Sequence, residues 1–172
     1  RGKISQNLYL YFVFGQIVPF HAVMIAISML STKLGLTNTH LGLIIFYSGF
    51  YTSFGVMTYV GFLKSVPREL EEAAGPFRTM VQIILPLVKS TTVTIGILFF
   101  LWTWNDLLLP SIMISDVNLR TITVNLYMFK SSTNAQWNLL IAGLVVSMIP
   151  IIIIYIVGQK HITSGLTAGA VK

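Results

Sequence analysis

Three of the five acidic residues of this chain stand together, at Glu69, Glu71 and Glu72, directly behind Pro67. Proline suits a first helical turn, where its missing N–H costs nothing. Carboxylates in that turn favour the positive end of the helix dipole. Exposed carboxylates on a short rigid helix can dock into a groove of a soluble partner and carry force to whatever they are joined to. Other polar groups are scattered through apolar sequence. Gln16 and His21 flank Pro19, Tyr47 and Tyr51 sit beside a Phe46, Phe50, Phe54 stripe, and Asn105 and Asp106 follow a Trp-Thr-Trp run. Rings can stack on the apolar face of a ligand, and a tyrosine hydroxyl can bond its polar groups. There is no cysteine, which excludes disulfides and thiolate metal sites. There is also no G-x-x-x-x-G-K-[S/T] phosphate loop, so nucleotide cannot be held in that way.

The elements that must position these groups are apolar and long. Hydrophobic residues make up 55% of the chain and charged residues only 9%, against about 25% charged in soluble domains. Lipid is the simplest environment for such a surface. The net charge is +6. Its positives lie between long apolar runs, a pattern of membrane topology rather than of a nucleic-acid-binding face. No charged residue occurs between Lys3 and Lys33 or between Lys33 and Lys64. Leu8 to Leu30 and Leu41 to Leu63 are therefore expected as spans of roughly 20 residues, each helical because lipid leaves no partner for free backbone groups. Further spans are expected at Thr91–Leu109 and Ile141–Gly158, with a turn at 35–40 and a long polar link over 116–137. With the N-terminus inside, eight lysines and arginines fall inside and three outside, as the positive-inside rule asks. Trp102, Trp104 and Trp137 then fall near the outer interface.

The inside loop, 65–88, reads as a helix from Pro67, a break at Gly75-Pro76, and a second helix. That second helix carries Met80, Ile83, Ile84 and Leu87 on one stripe, with Pro86 expected to bend it into the bilayer. Physics alone leaves open a juxtamembrane loop that only anchors topology.

Glu72-Ala73-Ala74, a Gly, and then Ile83-x-Leu85-Pro86 resemble the EAA loop of importer permeases. Ser65 to Ala74 is similar to the branch of ATP-binding-cassette sugar importers typified by the maltose permease. Three further segments resemble it in order: Leu34 to His40, Trp102 to Asp106, and the tail Gly165 to Lys172. The resemblance covers essentially the whole chain. It departs in two places. About five family positions are unfilled between Ala74 and Gly75. The family also has six spans against four here, so the N-terminal part of the fold is expected to lie before Arg1.

The resemblance implies an all-α, polytopic transmembrane helical bundle in the bacterial inner membrane, with both ends of this chain cytoplasmic. It implies a non-catalytic permease subunit that pairs with a second permease subunit. ATP and Mg would be bound by a partner, a cytoplasmic ATPase dimer, with no cofactor in this chain. An extracytoplasmic solute-binding protein would deliver an oligosaccharide or other sugar. Glu69, Glu71, Glu72, Ala73, Ala74, Gly75, Pro76 and Phe77 would lie at the ATPase-coupling elbow. Tyr127, Lys130 and Asn134 would meet the binding protein.

For the pathway itself, Gln16, His21, Tyr47, Tyr51 and Asn105 are the candidates. Each has an ordinary alternative. Gln16 and His21 can make interhelical hydrogen bonds, with Pro19 a plain kink, and the aromatic stripe can be helix packing. Asn105 is a candidate to hold an outer gate by side-chain bonding. Asp106 can face the pathway, cap a helix, or reach outer water, the last at least cost. Two other functions compete. A secondary carrier or channel usually needs ionisable groups buried in its spans, and the first two spans have only His21. A non-transporting scaffold would tolerate charge reversal at Glu71 and Glu72.

Overall fold

The computed structural model describes residues 2–66, 78–130 and 137–170, and the side chains of all of these except 130 and 160–170. Every regular element among them is helical, which confirms the all-α reading. In chain order they are α1 (Lys3–Ile17), α2 (Phe20–Lys33), α3 (His40–Lys64), α4 (Leu85–Asn105), α5 (Leu108–Met113), α6 (Ile122–Lys130) and α7 (Trp137–Ala170). A π-helical segment, Thr79–Ile84, leads into α4, and a 3₁₀ turn, Val117–Leu119, precedes α6. Helices α1, α3, α4 and α7 pack successively, each on the next. Helix α6 lies on α7, and α5 sits against α2 and α3.

Among the described residues three helices are long and apolar enough to cross a membrane: His40–Lys64, Thr79–Asn105 and Trp137–Gln159. The expected first span is not one helix. It breaks at Val18-Pro19 into α1 and α2, whose axes differ by 97°. Val18 and Pro19 are both extended, with ψ of 115° and 126°. The proline ring disfavours α geometry at the residue before it, and Pro19 has no N–H to continue the ladder. The plain kink expected at Pro19 is thus a full break. The halves have 15 and 14 residues, and at about 1.5 Å per residue neither reaches across a ~30 Å hydrocarbon core alone.

The third span also differs from expectation. Its helix starts well before Thr91 and ends at Asn105, with Asp106 in extended geometry. The helix continues through Pro86, and Leu85 N–H bonds Met80 O, five residues back. The wider π turn absorbs the clash and the missing donor that proline brings to an α ladder. Met80 and Leu87 are exposed and Ile83 and Ile84 only half-buried, so that stripe faces outward from this chain. The 116–137 link is not an open connector either, since it holds the 3₁₀ turn and α6. In α7 the backbone is helical to Ala170, past the span end expected at Gly158, and Pro150 lies inside it.

The tightest core lies where α5 tucks beneath α2 and α3. Leu43, Leu109, Met113 and Ile114 are buried there, with Phe20, Ile27, Phe46, Tyr47 and Leu119 packed around them. The turn at 34–40 is locked onto this core. Asn38, at φ 60°, donates its N–H to Met113 O at 2.7 Å. Its Oδ1 accepts from the N–H groups of Ser115 (3.1 Å) and Asp116 (2.8 Å). Asparagine tolerates this left-handed geometry better than most residues. Thr39 caps α3 by accepting from Gly42 N–H at 3.0 Å and donates to Leu36 O at 2.7 Å. His40 Nε2 lies 3.0 Å from Leu119 O. These contacts join the start of α3 to the segment after α5 and so set the wall of the site below.

Elsewhere several hydroxyls are satisfied within their own helix. Thr32, Thr58 and Thr92 each donate to the carbonyl four residues back. In a span this leaves few polar groups needing a partner. Helix α3 is tied to α4 by Tyr59 Oη donating to Thr92 Oγ1 at 2.7 Å. Helix α4 is tied to α7 by Trp104 Nε1 donating to Ser147 O at 3.1 Å. Thr123 Oγ1 donates to Trp104 O at 2.7 Å, which anchors α6 to the same point.

Candidate functional site

A cleft of about 590 Å³ opens between the α1–α2 break, the middle of α3 and the α4–α5 junction. Gln16, His21, Tyr47, Tyr51 and Asn105 all line it, joined by Trp102 and Asp106. The five residues singled out from sequence therefore share one wall system. The break brings two of them in: a straight helix would carry Gln16 and His21 past the site, whereas the extended pair Val18-Pro19 turns the chain around its edge.

Asp106 organises the polar side. The chain leaves helical geometry at this residue, which directs the carboxylate toward both α5 and α3. Oδ1 accepts from Leu108 N–H at 2.9 Å, and Oδ2 accepts from Tyr47 Oη at 2.9 Å. The first bond satisfies a donor in the opening turn of α5. The carboxylate expected to reach outer water is instead a helix cap and a partner of α3. Thr103 Oγ1 donates to Tyr51 Oη at 3.3 Å, a second polar tie between the same two helices. Asn105 does not form the expected gate bond to a neighbouring element: its Nδ2 donates to Leu101 O of its own helix at 2.7 Å. Four residues is the natural reach for that return, which costs no interhelical order.

The apolar side is aromatic. Tyr47 stacks on Tyr51 with centroids 5.6 Å apart and planes at 14°. Tyr51 stacks on Phe99 at 4.6 Å and 17°. Trp102 meets Phe54 edge-on at 4.9 Å and remains 41% exposed. Phe20, at the head of α2, packs edge-on against Phe50 at 5.0 Å. The stripe on α3 thus divides its labour. Phe46 belongs to the core under α5, whereas Phe50, which also holds α2, lines the cleft with Tyr47, Tyr51 and Phe54. Gln16 and His21 lie exposed on its rim.

The remaining sequence candidates stand elsewhere. Tyr127 is on α6, half exposed, on the far side of α4 from the cleft. Asn134 and the Lys130 side chain lie outside the described residues, as do Glu69, Glu71, Glu72, Ala73, Ala74, Gly75, Pro76 and Phe77. Among the described residues no three His, Cys, Asp or Glu side chains gather as metal ligands do. Trp102 and Thr103 have no pathway role in the sequence reading, and Asp106 has one only as an alternative; the signal that points to them is the Trp102 to Asp106 run.

Residues 1–167 match the family model described as binding-protein-dependent transport system inner membrane component. The chain belongs to this family. As a transport component it is similar along its full length to the probable starch degradation products transport system permease protein AmyC of Thermoanaerobacterium thermosulfurigenes, at 39% identity. It is 35% identical to the multiple sugar-binding transport system permease protein MsmG of Streptococcus mutans, again over its whole length. The melibiose/raffinose/stachyose import permease protein MelC of Bacillus subtilis is 28% identical over 99% of the chain. The transport component spans 64% of the length of each of these relatives. The AmyC alignment runs over 177 positions against 172 residues here. The relative thus has positions without a counterpart in this chain.

Proposed function

We propose that the chain is a permease subunit of an ATP-driven, binding-protein-dependent carbohydrate importer. The observation that carries this reading is the cleft, in which hydroxyl, amide and carboxyl groups alternate with exposed ring faces on a member of a transport family. Carbohydrate as the cargo is supported by the relatives, whose names specify starch degradation products, multiple sugars, and melibiose, raffinose and stachyose.

In this reading the cleft is part of one half of the translocation pathway, and a second permease subunit supplies the other half. The subunit is non-catalytic. Glu69, Glu71, Glu72, Ala73, Ala74, Gly75, Pro76 and Phe77 form the elbow that seats in a cytoplasmic ATPase, which binds ATP and Mg. The unfilled positions after Ala74 belong to that elbow. An extracytoplasmic binding protein meets the outer segment that includes Tyr127, Lys130 and Asn134. The distribution of Lys and Arg supports cytoplasmic placement of the chain's N-terminus and of the 65–88 loop. ATPase closure and sugar release are coupled because each ligand favours one of two states of the assembly.

The deciding experiment is the double reversal Glu71→Lys/Glu72→Lys in the assembled transporter. Uptake of radiolabelled sugar into cells is expected to vanish while membrane insertion of the subunit is retained. Normal uptake by the reversed variant would remove the coupling role.

A further inference from the structure

We infer that the Tyr47–Asp106 pair and the Trp102 face form a saccharide subsite in this subunit that selects neutral sugars over acidic ones. This rests on the carbohydrate-importer reading. It adds direct contact with the sugar and a rule for which sugars enter.

The first ground is hydrogen-bond accounting. A carboxylate offers about four acceptor positions. Two are used, by Leu108 N–H on Oδ1 and Tyr47 Oη on Oδ2. The side chain is thereby held at two points and still has acceptor capacity beside the cleft that it lines. Because Tyr47 donates to Asp106, its own oxygen remains free to accept. The pair therefore presents adjacent acceptors, the complement of adjacent hydroxyls on a pyranose ring. Donors stand opposite. Helix α2 begins at the cleft edge with no side chain capping its first turn, and Gln16 adds an amide.

The second ground is independent of the first. Trp102 is exposed at 41% although Phe54 and Phe99 fix its ring from the sides. An indole held by its neighbours yet left partly exposed in a cleft suits stacking by the C–H face of a sugar. The platform and the acceptor pair line the same 590 Å³ cleft, which is within the range of small-ligand sites.

The third ground is charge. No lysine or arginine lines the cleft among the described residues, and Asp106 is its only acidic side chain. A uronate brought against Asp106 would place like charges side by side, which is unfavourable. A neutral sugar meets no such penalty.

The test uses the assembled transporter containing this chain, purified into lipid nanodiscs without its binding protein. Tryptophan fluorescence is titrated with maltose, melibiose and raffinose, and with maltose oxidised at C6 to the uronate. Trp102→Phe identifies the part of the signal that comes from the cleft. At least one neutral sugar is expected to change that part, and the uronate is not. Asp106→Asn should raise the half-saturating concentration of the neutral sugar ~10-fold or more, as loss of a hydrogen bond to a charged group does. The same variant should let the uronate register. Tyr47→Phe, which keeps the ring, should weaken the neutral sugar without admitting the uronate. That split separates a charge filter from a general loss of structure. The inference is overturned if no neutral sugar alters the Trp102 signal, if the uronate alters it equally in the unaltered transporter, or if Asp106→Asn leaves the preference intact. In those cases sugar uptake by the same assembly, reconstituted into sealed vesicles with its binding protein, would still stand as evidence for the importer. A transporter that assembles with its ATPase and takes up no carbohydrate refutes the importer reading itself.

Discussion

Gly42→Ala sets two opposed effects against each other within α3. Alanine is the better helix former by about 1 kcal/mol, so propensity alone predicts a gain. The structure predicts a loss. A Cβ on Gly42 would stand 2.3 Å from the Leu36 carbonyl oxygen and 3.0 Å from Met113 Cε. Methionine can swing its terminal methyl aside, but the carbonyl cannot move freely. It accepts from Thr39 Oγ1 at 2.7 Å, and the Leu36 N–H is itself bonded to Ser31 O at 2.9 Å. Relief requires shifting the turn, which also strains the Thr39 cap on Gly42 N–H. Overpacking of this kind costs about 1–3 kcal/mol, and a lost cap about 1 kcal/mol more. Less the propensity gain, the net loss is about 1–3 kcal/mol. For a protein of this size that lowers the melting temperature by roughly 2–12 °C. Gly49→Ala in the same helix is the control, because nothing lies within 4 Å of the added carbon there. Both variants can be followed by thermal unfolding of the assembled transporter in detergent. The expected order is Gly49→Ala at or above the unaltered protein, with Gly42→Ala below it. A Gly42→Ala protein as stable as Gly49→Ala would show that the 34–40 turn is not held against α3 as described.

Two further substitutions probe the elements around the cleft. Asn38→Ala removes the acceptor for two N–H groups and places a residue with a β-carbon at φ 60°, so it should destabilise by about 1–3 kcal/mol. Asn38→Gly keeps the backbone freedom and should melt between the unaltered protein and Asn38→Ala, while an Ala variant equal to Gly would discount the backbone contribution. Trp104→Phe removes the Nε1–H bond to Ser147 O and should cost about 0.6–1.7 kcal/mol in lipid, read as a small drop in melting temperature with sugar uptake retained. A large loss of uptake in that variant would mean that the α4–α7 tie is part of the moving machinery.

The α3 and α7 spans were legible because lipid imposes a local rule: enough consecutive apolar residues must close their own hydrogen bonds. The rule needs no knowledge of neighbours. It is blunt about ends, which is why α4 begins earlier than expected and stops at Asn105. Pro19 was equally visible, but its effect was not. A proline removes one donor and restricts one neighbour, and whether the helix kinks or separates into two depends on what each half packs against. Here α1 rests on α3, whereas α2 packs on α5. Asp106 shows the same limit. Its three possible roles were all consistent with its place in the chain. Choosing among them required the positions of Tyr47, 59 residues earlier, and of the α5 helix that follows.

What the residues determined on their own was the kind of molecule: helices sorted by apolar length, an absence of nucleotide-binding motif, and motifs of a permease family, all set by short stretches of chain. What only the folded chain decided was that Gln16, His21, Tyr47, Tyr51 and Asn105 share a cleft, and that Asp106 is its polar anchor. Those groups lie on α1, α2, α3 and the end of α4, with two whole helices between the first and the last. Their meeting depends on the angle at the α1–α2 break and on the lock between Asn38 and the segment after α5. Both are outcomes of packing between distant surfaces, which no local pattern encodes.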